Sequence, residues 1–446
     1  MSQSRSPYFG DAASTAASGP RSNFALIASV TLGNGLEMFD FMLFSFFQVI
    51  IGKQFFPSAT PLASLLMATA TFGAGYLMRP LGAIVMGAYA DRAGRKPAML
   101  VTIALMGAGT AFIGLAPTYA QIGMLAPVLV VLGRLLQGFS TGGEIGASTA
   151  LLAEAAPRRV RGFMISWQMA SQGGAALMGA LTGFMLSTFL SSEDLEAWGW
   201  RLPFLLGLLL GPVGYAIRRT LHETRPLEPA PGGTVLPIFT TFRQSLLCGI
   251  LLMVGGTASM YIVVFYMPTY LVVALHMPAS TSFLASCAAG AVLIIGSPLA
   301  GRLSDRLTRR KPFVAAARLL GAALIYPVFW LLNHTTHEAV ALAAISALAG
   351  CLALGSGACF QLLVESFPRH FRCTGFSTIY SVGVSIFGGF APFVVTWLIG
   401  ETGDPMAPAH YMAACSLISL AALVWIREPS PIDPVVRSLG HTKAEV

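Results

Sequence analysis

Charge is the first shortage in this chain. Only 10% of its 446 residues are Asp, Glu, Lys or Arg, whereas a soluble globular domain carries roughly 25%. A core of this size in water would need a charged exterior, so an ordinary soluble protein is excluded. Cysteine is scarce too. The six, at 248, 287, 351, 359, 373 and 415, form no CxxC pair and no metal-ligand spacing, which excludes a disulfide framework or a zinc site. They read as small core residues of apolar segments. The seven histidines fall in loops, tails or span ends and form no proton relay. A G-x-S-x-G elbow, a phosphate loop and a nucleophile–base set are also missing, so neither an enzyme nor a metal or cofactor site is expected.

Apolar sequence is what the chain has in abundance: 55% of residues are hydrophobic and the mean hydropathy is +0.71. Apolar segments occupy 24–51, 62–90, 98–117, 122–152, 162–190, 201–217, 243–274, 280–301, 313–333, 339–364, 374–400 and 407–426. Each is near or above the roughly 20 residues that cross a bilayer as a helix, and none alternates as a barrel strand does. The expectation is an all-α membrane protein with twelve transmembrane helices. The net charge of +8 then reflects the positive-inside rule rather than nucleic-acid binding. Placing both termini in the cytoplasm leaves Lys53 and Arg201 on the outer side and puts most other basic residues inside. Glu193, Asp194, Glu196, Glu338, Glu401 and Asp404 fall on outer loops.

The first 22 residues, rich in Ser and Ala, are expected to be a disordered cytoplasmic tail. They are not a signal peptide, because the small residues precede the apolar run. A polar break at 218–242 separates a first bundle, 23–217, from a second, 243–426, and a tail covers 427–446. The two bundles repeat. GAYADRAGRKP (Gly87 to Pro97) returns as GRLSDRLTRRKP (Gly301 to Pro312), and EAAPRRVR (Glu154 to Arg161) as ESFPRHFR (Glu365 to Arg372). Both recur in order at almost the same offset, which describes two parallel six-helix bundles about an axis along the membrane normal. Glycines at 133, 138, 142, 179, 183 and 290 mark expected close helix contacts.

Charges inside spans are costly, about 2.5–3.5 kcal/mol each at a helix centre, and so mark function or pairing. Glu37 and Asp40 share one face of span one, Arg79 lies in span two and Arg134 in span four, all at similar depth. Either they lock helices together, or Arg79 or Arg134 holds an anionic carboxylate while Glu37 or Asp40 carries a proton. On the second reading the four converge on one wet pocket, where an anion on the arginine would favour protonation of the neighbouring acid. Gln137, Gln168 and Gln172 are candidate ligand contacts or helix bridges, and Glu144 lies nearer the cytoplasmic mouth. Arg318, a few residues inside span nine, is expected to snorkel to the cytoplasmic face. Tyr261, Tyr266 and Tyr270 of span seven read more readily as core than as ligands.

Gly87-x-x-x-Asp91-Arg92-x-Gly94-Arg95-Lys96 and Arg134-Leu-Leu-Gln137-Gly138 resemble signatures of the major facilitator superfamily. Gly33-Asn34, Phe55-Phe56-Pro57, Arg79-Pro80, Gly138-Phe-Ser-Thr-Gly-Gly-Glu144 and Gly199-Trp-Arg-Leu-Pro-Phe204 narrow this to its metabolite–proton symporters. Glu37 to Phe41 and Ser166 to Gln172 look most like the citrate and tricarballylate symporters. The resemblance implies proton-coupled uptake of a small organic anion, citrate or a related tricarboxylate, by a multi-pass protein of a bacterial-type inner membrane acting as a monomer. Another metabolite (a dicarboxylate such as 2-oxoglutarate, shikimate, or proline/betaine) or proton-driven export remains open. The repeated loops then read as a cytoplasmic gate of Asp91, Arg92, Arg95, Glu154, Arg161, Asp305, Arg309, Glu365 and Arg372. Thr308 in place of the repeat's Gly94 makes the second turn less tight.

Overall fold

A computed structural model describes residues 20–93, 95–142, 144–209, 235–335, 337–368, 371–426 and 428. Nearly all of the expected tail 1–22, most of the linker 218–242 and the tail 427–446 apart from Glu428 lie outside the described residues. So do the side chains of Asp91, Arg92 and Arg95.

The described chain is helical throughout and contains no strand. Its main helices are α1 (Pro20–Phe55), α2 (Pro61–Ala93), α3 (Arg95–Gly114), α4 (Leu125–Ala155), α5 (Arg161–Phe189) and α6 (Gly199–Leu209). The second half repeats the series with α7 (Arg243–Val273), α8 (Ala279–Asp305), α9 (Lys311–His334), α10 (Glu338–Glu365), α11 (Arg372–Thr402) and α12 (Ala407–Trp425). Nine of these described helices are long and apolar enough to cross a membrane. α3 and α6 have shorter apolar stretches, and α5 is diluted by Gln168, Gln172 and its glycines. Five cysteines are buried and Cys373 is exposed at the start of α11.

Close approach in lipid depends on small residues, since no hydrophobic drive separates helix from tail. At the α2–α4 crossing, a Cβ on Gly138 would overlap the Gly75 carbonyl. Between the halves the most extensive contact is α5 along α8, where a Cβ on Gly290 would stand 2.8 Å from the Gly173 carbonyl.

Prolines free carbonyls that the opposing helices use. Pro80 has no N–H for Tyr76 four residues back, and Ser385 of α11 donates to that Tyr76 carbonyl at 2.6 Å. Pro268 leaves the Val264 carbonyl to Ser286 of α8, at 2.7 Å. α7 and α11 each contain one wider π turn, Tyr261–Tyr266 and Val384–Gly389, shortly before Pro268 and Pro392. Such turns re-aim side chains and concentrate at functional positions; here they present Tyr261 and Ser385 to α2.

Candidate functional site

The centre of the molecule is built on Arg79. It is 1% exposed, and its guanidinium lies 4.3 Å from the Tyr76 ring centre and 4.7 Å from that of Phe41. Both rings offer their negative π faces to the cation. Nε and Nη2 of Arg79 are buried with no hydrogen-bond partner among the described residues. The second half closes over this group. Tyr261 of α7 donates to the Tyr76 hydroxyl at 2.7 Å, and the Tyr380 hydroxyl of α11 lies beside Arg79 while accepting from Gln172 Nε2 of α5 at 3.2 Å. A buried guanidinium with free donors, set between two halves and ringed by hydroxyls, has the chemistry to take an oxyanion, because each unmade bond to a charged donor is expensive.

Arg134 is different. Nη1 donates to the Phe41 carbonyl and to Gln137 Oε1, both at 2.9 Å, and Nη2 to the Phe72 carbonyl at 3.4 Å. Gln137 in turn donates to Thr110 of α3 at 3.0 Å. The guanidinium stacks 4.0 Å from the Phe41 ring centre. Arg134 and Gln137 therefore tie α1, α2, α3 and α4 together, the helix-locking alternative, with only Nε of Arg134 left buried and unpaired among the described residues. Arg134→Gln should orphan carbonyl acceptors at about 1–3 kcal/mol each. The expected result is loss of folded protein on size-exclusion chromatography; normal yield with a selective loss of ligand binding would contradict this assignment.

The two arginines converge on Phe41, but Asp40 does not join them. Phe41 faces the two guanidiniums, and Asp40, one position earlier on the same helix, is rotated about 100° from it. Its carboxylate lies instead against Gly207 of α6, where a Cβ would collide with Oδ1. Asp40 is buried, and its Oδ1 has no hydrogen-bond partner among the described residues. Glu37, one turn earlier, is half-buried. Gln168 is buried and accepts from Ser148 at 3.3 Å, and its Nε2 is unpaired. Glu144 is half-buried in α4.

At one end the halves are joined by charge. Arg161, opening α5, pairs with Glu365, closing α10, at 2.8 Å. Glu365 also accepts from Gln361 at 3.0 Å and from Arg310 at 3.5 Å. Asp305, the last residue of α8, accepts the Gly162 and Phe163 amides at 2.7 and 2.8 Å. That carboxylate satisfies two of the orphan donors at the start of α5 from across the interface. Glu154 and Arg309 are exposed, and Arg372 donates to the Phe367 carbonyl at 3.2 Å. At the other end the halves meet through Phe46, Phe47 and Phe283, with Gln48 donating to Thr269 at 2.7 Å. The Arg79 site is thus covered at both ends.

Sequence reasoning missed Phe41, Tyr76 and Tyr380, demoted Tyr261, and did not single out Arg310 and Gln361. Arg318 does not snorkel. Its guanidinium turns into the second bundle, with Nη1 2.8 Å from where a Cβ on Gly256 would stand.

Comparison with known proteins fits this geometry. The family profile described as sugar (and other) transporter matches residues 25–225 and 215–428. The chain belongs to that transporter family. Its relatives include the citrate-proton symporter of Klebsiella pneumoniae, 38% identical over 91% of this chain and 92% of that protein. They also include the proline/betaine transporter of Salmonella typhimurium, 34% identical over 90% of this chain and 83% of that one. Among solved structures, a D-xylose-proton symporter superposes with a TM-score of 0.75 at 18% identity, covering 91% of this chain and 98% of that chain. Family members thus share the two-half helical fold, and the major facilitator resemblance holds at the level of family and fold.

Proposed function

We propose that this chain is a secondary active transporter of the bacterial inner membrane that takes up citrate or a close tricarboxylate together with protons, by alternating access. The observation that carries this reading is the buried, donor-rich Arg79 between the halves. On this reading α3, α5 and α6 complete twelve crossings in two six-helix bundles, both termini are cytoplasmic and the monomer is the working unit. A carboxylate of the cargo takes Arg79 Nε and Nη2, with Tyr380, Tyr261 and Gln172 supplying neutral bonds.

Asp40 carries the proton. Closing α6 over an ionised Asp40 would bury a charge with neither water nor partner, at a cost of several kcal/mol, whereas the neutral acid closes without that penalty. Because Asp40 and Phe41 are neighbours on α1, cargo seated on Arg79 and Phe41 and the proton on Asp40 act on the same helix from two sides. Coupling is then mechanical through α1, rather than by direct attraction between the acid and the arginine.

The Arg161–Glu365 pair and the Asp305 cap are the cytoplasmic gate, closed while the carrier faces outward. Glu365→Gln should bias the carrier inward-open. A single cysteine replacing Ser377, which faces Gly146 between α11 and α4, should then be alkylated several-fold faster from the cytoplasmic side. An unchanged rate would remove the gate role.

A second reading is a proline/betaine carrier, since one free arginine also suits the lone carboxylate of a zwitterion. Proteoliposomes with an imposed pH gradient, offered labelled citrate, tricarballylate, 2-oxoglutarate, proline and betaine, decide between them. Acid-driven accumulation of the tricarboxylates alone is the expected result; accumulation of betaine or proline alone would overturn it.

A further inference from the structure

The second bundle holds a charge that the cargo site does not use. Arg318 lies two turns inside α9, and its Nε is buried without a hydrogen-bond partner among the described residues. Nη2 meets the weak acceptor Cys359 Sγ of α10 at 4.0 Å, and Gly256 of α7 packs on the guanidinium. No carboxylate pairs with it among the described residues. An ionised side chain inside a membrane-crossing helix is costly and calls for a partner.

The space beside it sets the size of that partner. A void against Arg318 has about 20 Å³ of room for a water-sized particle, where roughly 10–15 Å³ suffices for one water. Ser259 of α7 and Ser416 of α12 bring buried hydroxyls to this void, and Val263, Ile325 and Leu348 make apolar walls. A fixed cation and two hydroxyl donors thus border a space of one-particle size. A carboxylate, a phosphate or the cargo is too large for it. Arg318 itself is half-buried, not sealed, which leaves a way in along its side chain.

We propose that this void binds one monoatomic anion, chloride, as the counter-ion of Arg318, with the Ser259 and Ser416 hydroxyls donating to it. The ion neutralises a buried charge that lacks a carboxylate. It also bears on the cargo site. Val263 belongs to the π turn Tyr261–Tyr266, and Ser259 stands two residues before Tyr261, which donates to Tyr76. Chloride therefore braces that stretch of α7 against α9 and α12.

The test is thermal unfolding of the purified full chain in chloride, gluconate, acetate or sulfate at equal ionic strength, with a crystal structure of the bromide form. Chloride and bromide should raise the wild-type Tm by several degrees over the three polyatomic anions. Arg318→Gln should lose that difference. Ser416→Val, which narrows the void and keeps the charge, should weaken chloride at least tenfold. Arg79→Gln should keep the full effect, and a bromide peak should stand beside Arg318. Equal Tm in chloride and gluconate, an undiminished effect in Arg318→Gln, or loss of the effect in Arg79→Gln would overturn the proposal. Sulfate stabilising as well as chloride, or water without bromide in the void, would also overturn it.

Discussion

Arg79→Gln should cut citrate uptake at low concentration by about 100-fold or more while leaving the amount of folded carrier unchanged. Removing one partner of a desolvated, hydrogen-bonded charge pair costs about 2–5 kcal/mol, and a tenfold change corresponds to about 1.4 kcal/mol. Among the described residues Arg79 meets two ring faces and the Tyr380 hydroxyl, so its loss orphans no described backbone acceptor of the kind Arg134 serves. Arg79→Lys keeps the charge but not the planar two-point geometry, and should fall between the wild type and the glutamine variant. The check is initial-rate uptake in proteoliposomes normalised to reconstituted protein. Equal losses in maximal rate and folded yield, with an unchanged KM, would assign Arg79 to the framework instead.

The second large effect is expected at Asp40. Asp40→Asn preserves shape beside Gly207 and removes the titrating group. Accumulation driven by a pH gradient should disappear, while exchange of labelled for unlabelled citrate across equal pH should stay within about threefold of the wild type. The dependence on external pH should flatten, because closure over α6 no longer requires a proton. Glu37→Gln is the paired variant, since Glu37 lies on the same face and is only half-buried. Loss of accumulation in Glu37→Gln with full coupling in Asp40→Asn would move the proton to Glu37.

The parts of the fold legible in the sequence are those set by bulk composition and by repetition. Spans follow from the need to satisfy every backbone group inside lipid, and the repeated Asp91/Asp305 and Glu154/Glu365 patterns reveal two related halves without any coordinates. Position along the helix was legible as well, because helical rise fixes how far Arg79 and Asp40 lie from a helix end.

Rotation about the helix axis was not. α1 is apolar on almost every side, so nothing in its pattern says that Phe41, and not Asp40, faces the guanidiniums. The bonding of both Arg134 Nη groups was equally hidden, since their backbone partners are the Phe41 and Phe72 carbonyls, a group every residue carries. Tyr76, Tyr261 and Tyr380 are marked only by where three helices bring their hydroxyls, among 11 tyrosines and 29 phenylalanines. Arg310 reaches Glu365 through a loop whose conformation depends on the end of α12: Glu428 accepts the Arg310 amide at 2.6 Å.

The anion site is tested most directly by a structure of the full chain in a lipid nanodisc with saturating citrate. One citrate carboxylate should lie within about 3 Å of Arg79 Nε and Nη2, beside the Tyr380 and Tyr261 hydroxyls, with Arg134 still bonded to the Phe41 carbonyl. Citrate held elsewhere while the Arg79 donors remain unoccupied would contradict the assignment of this residue as the anion receptor.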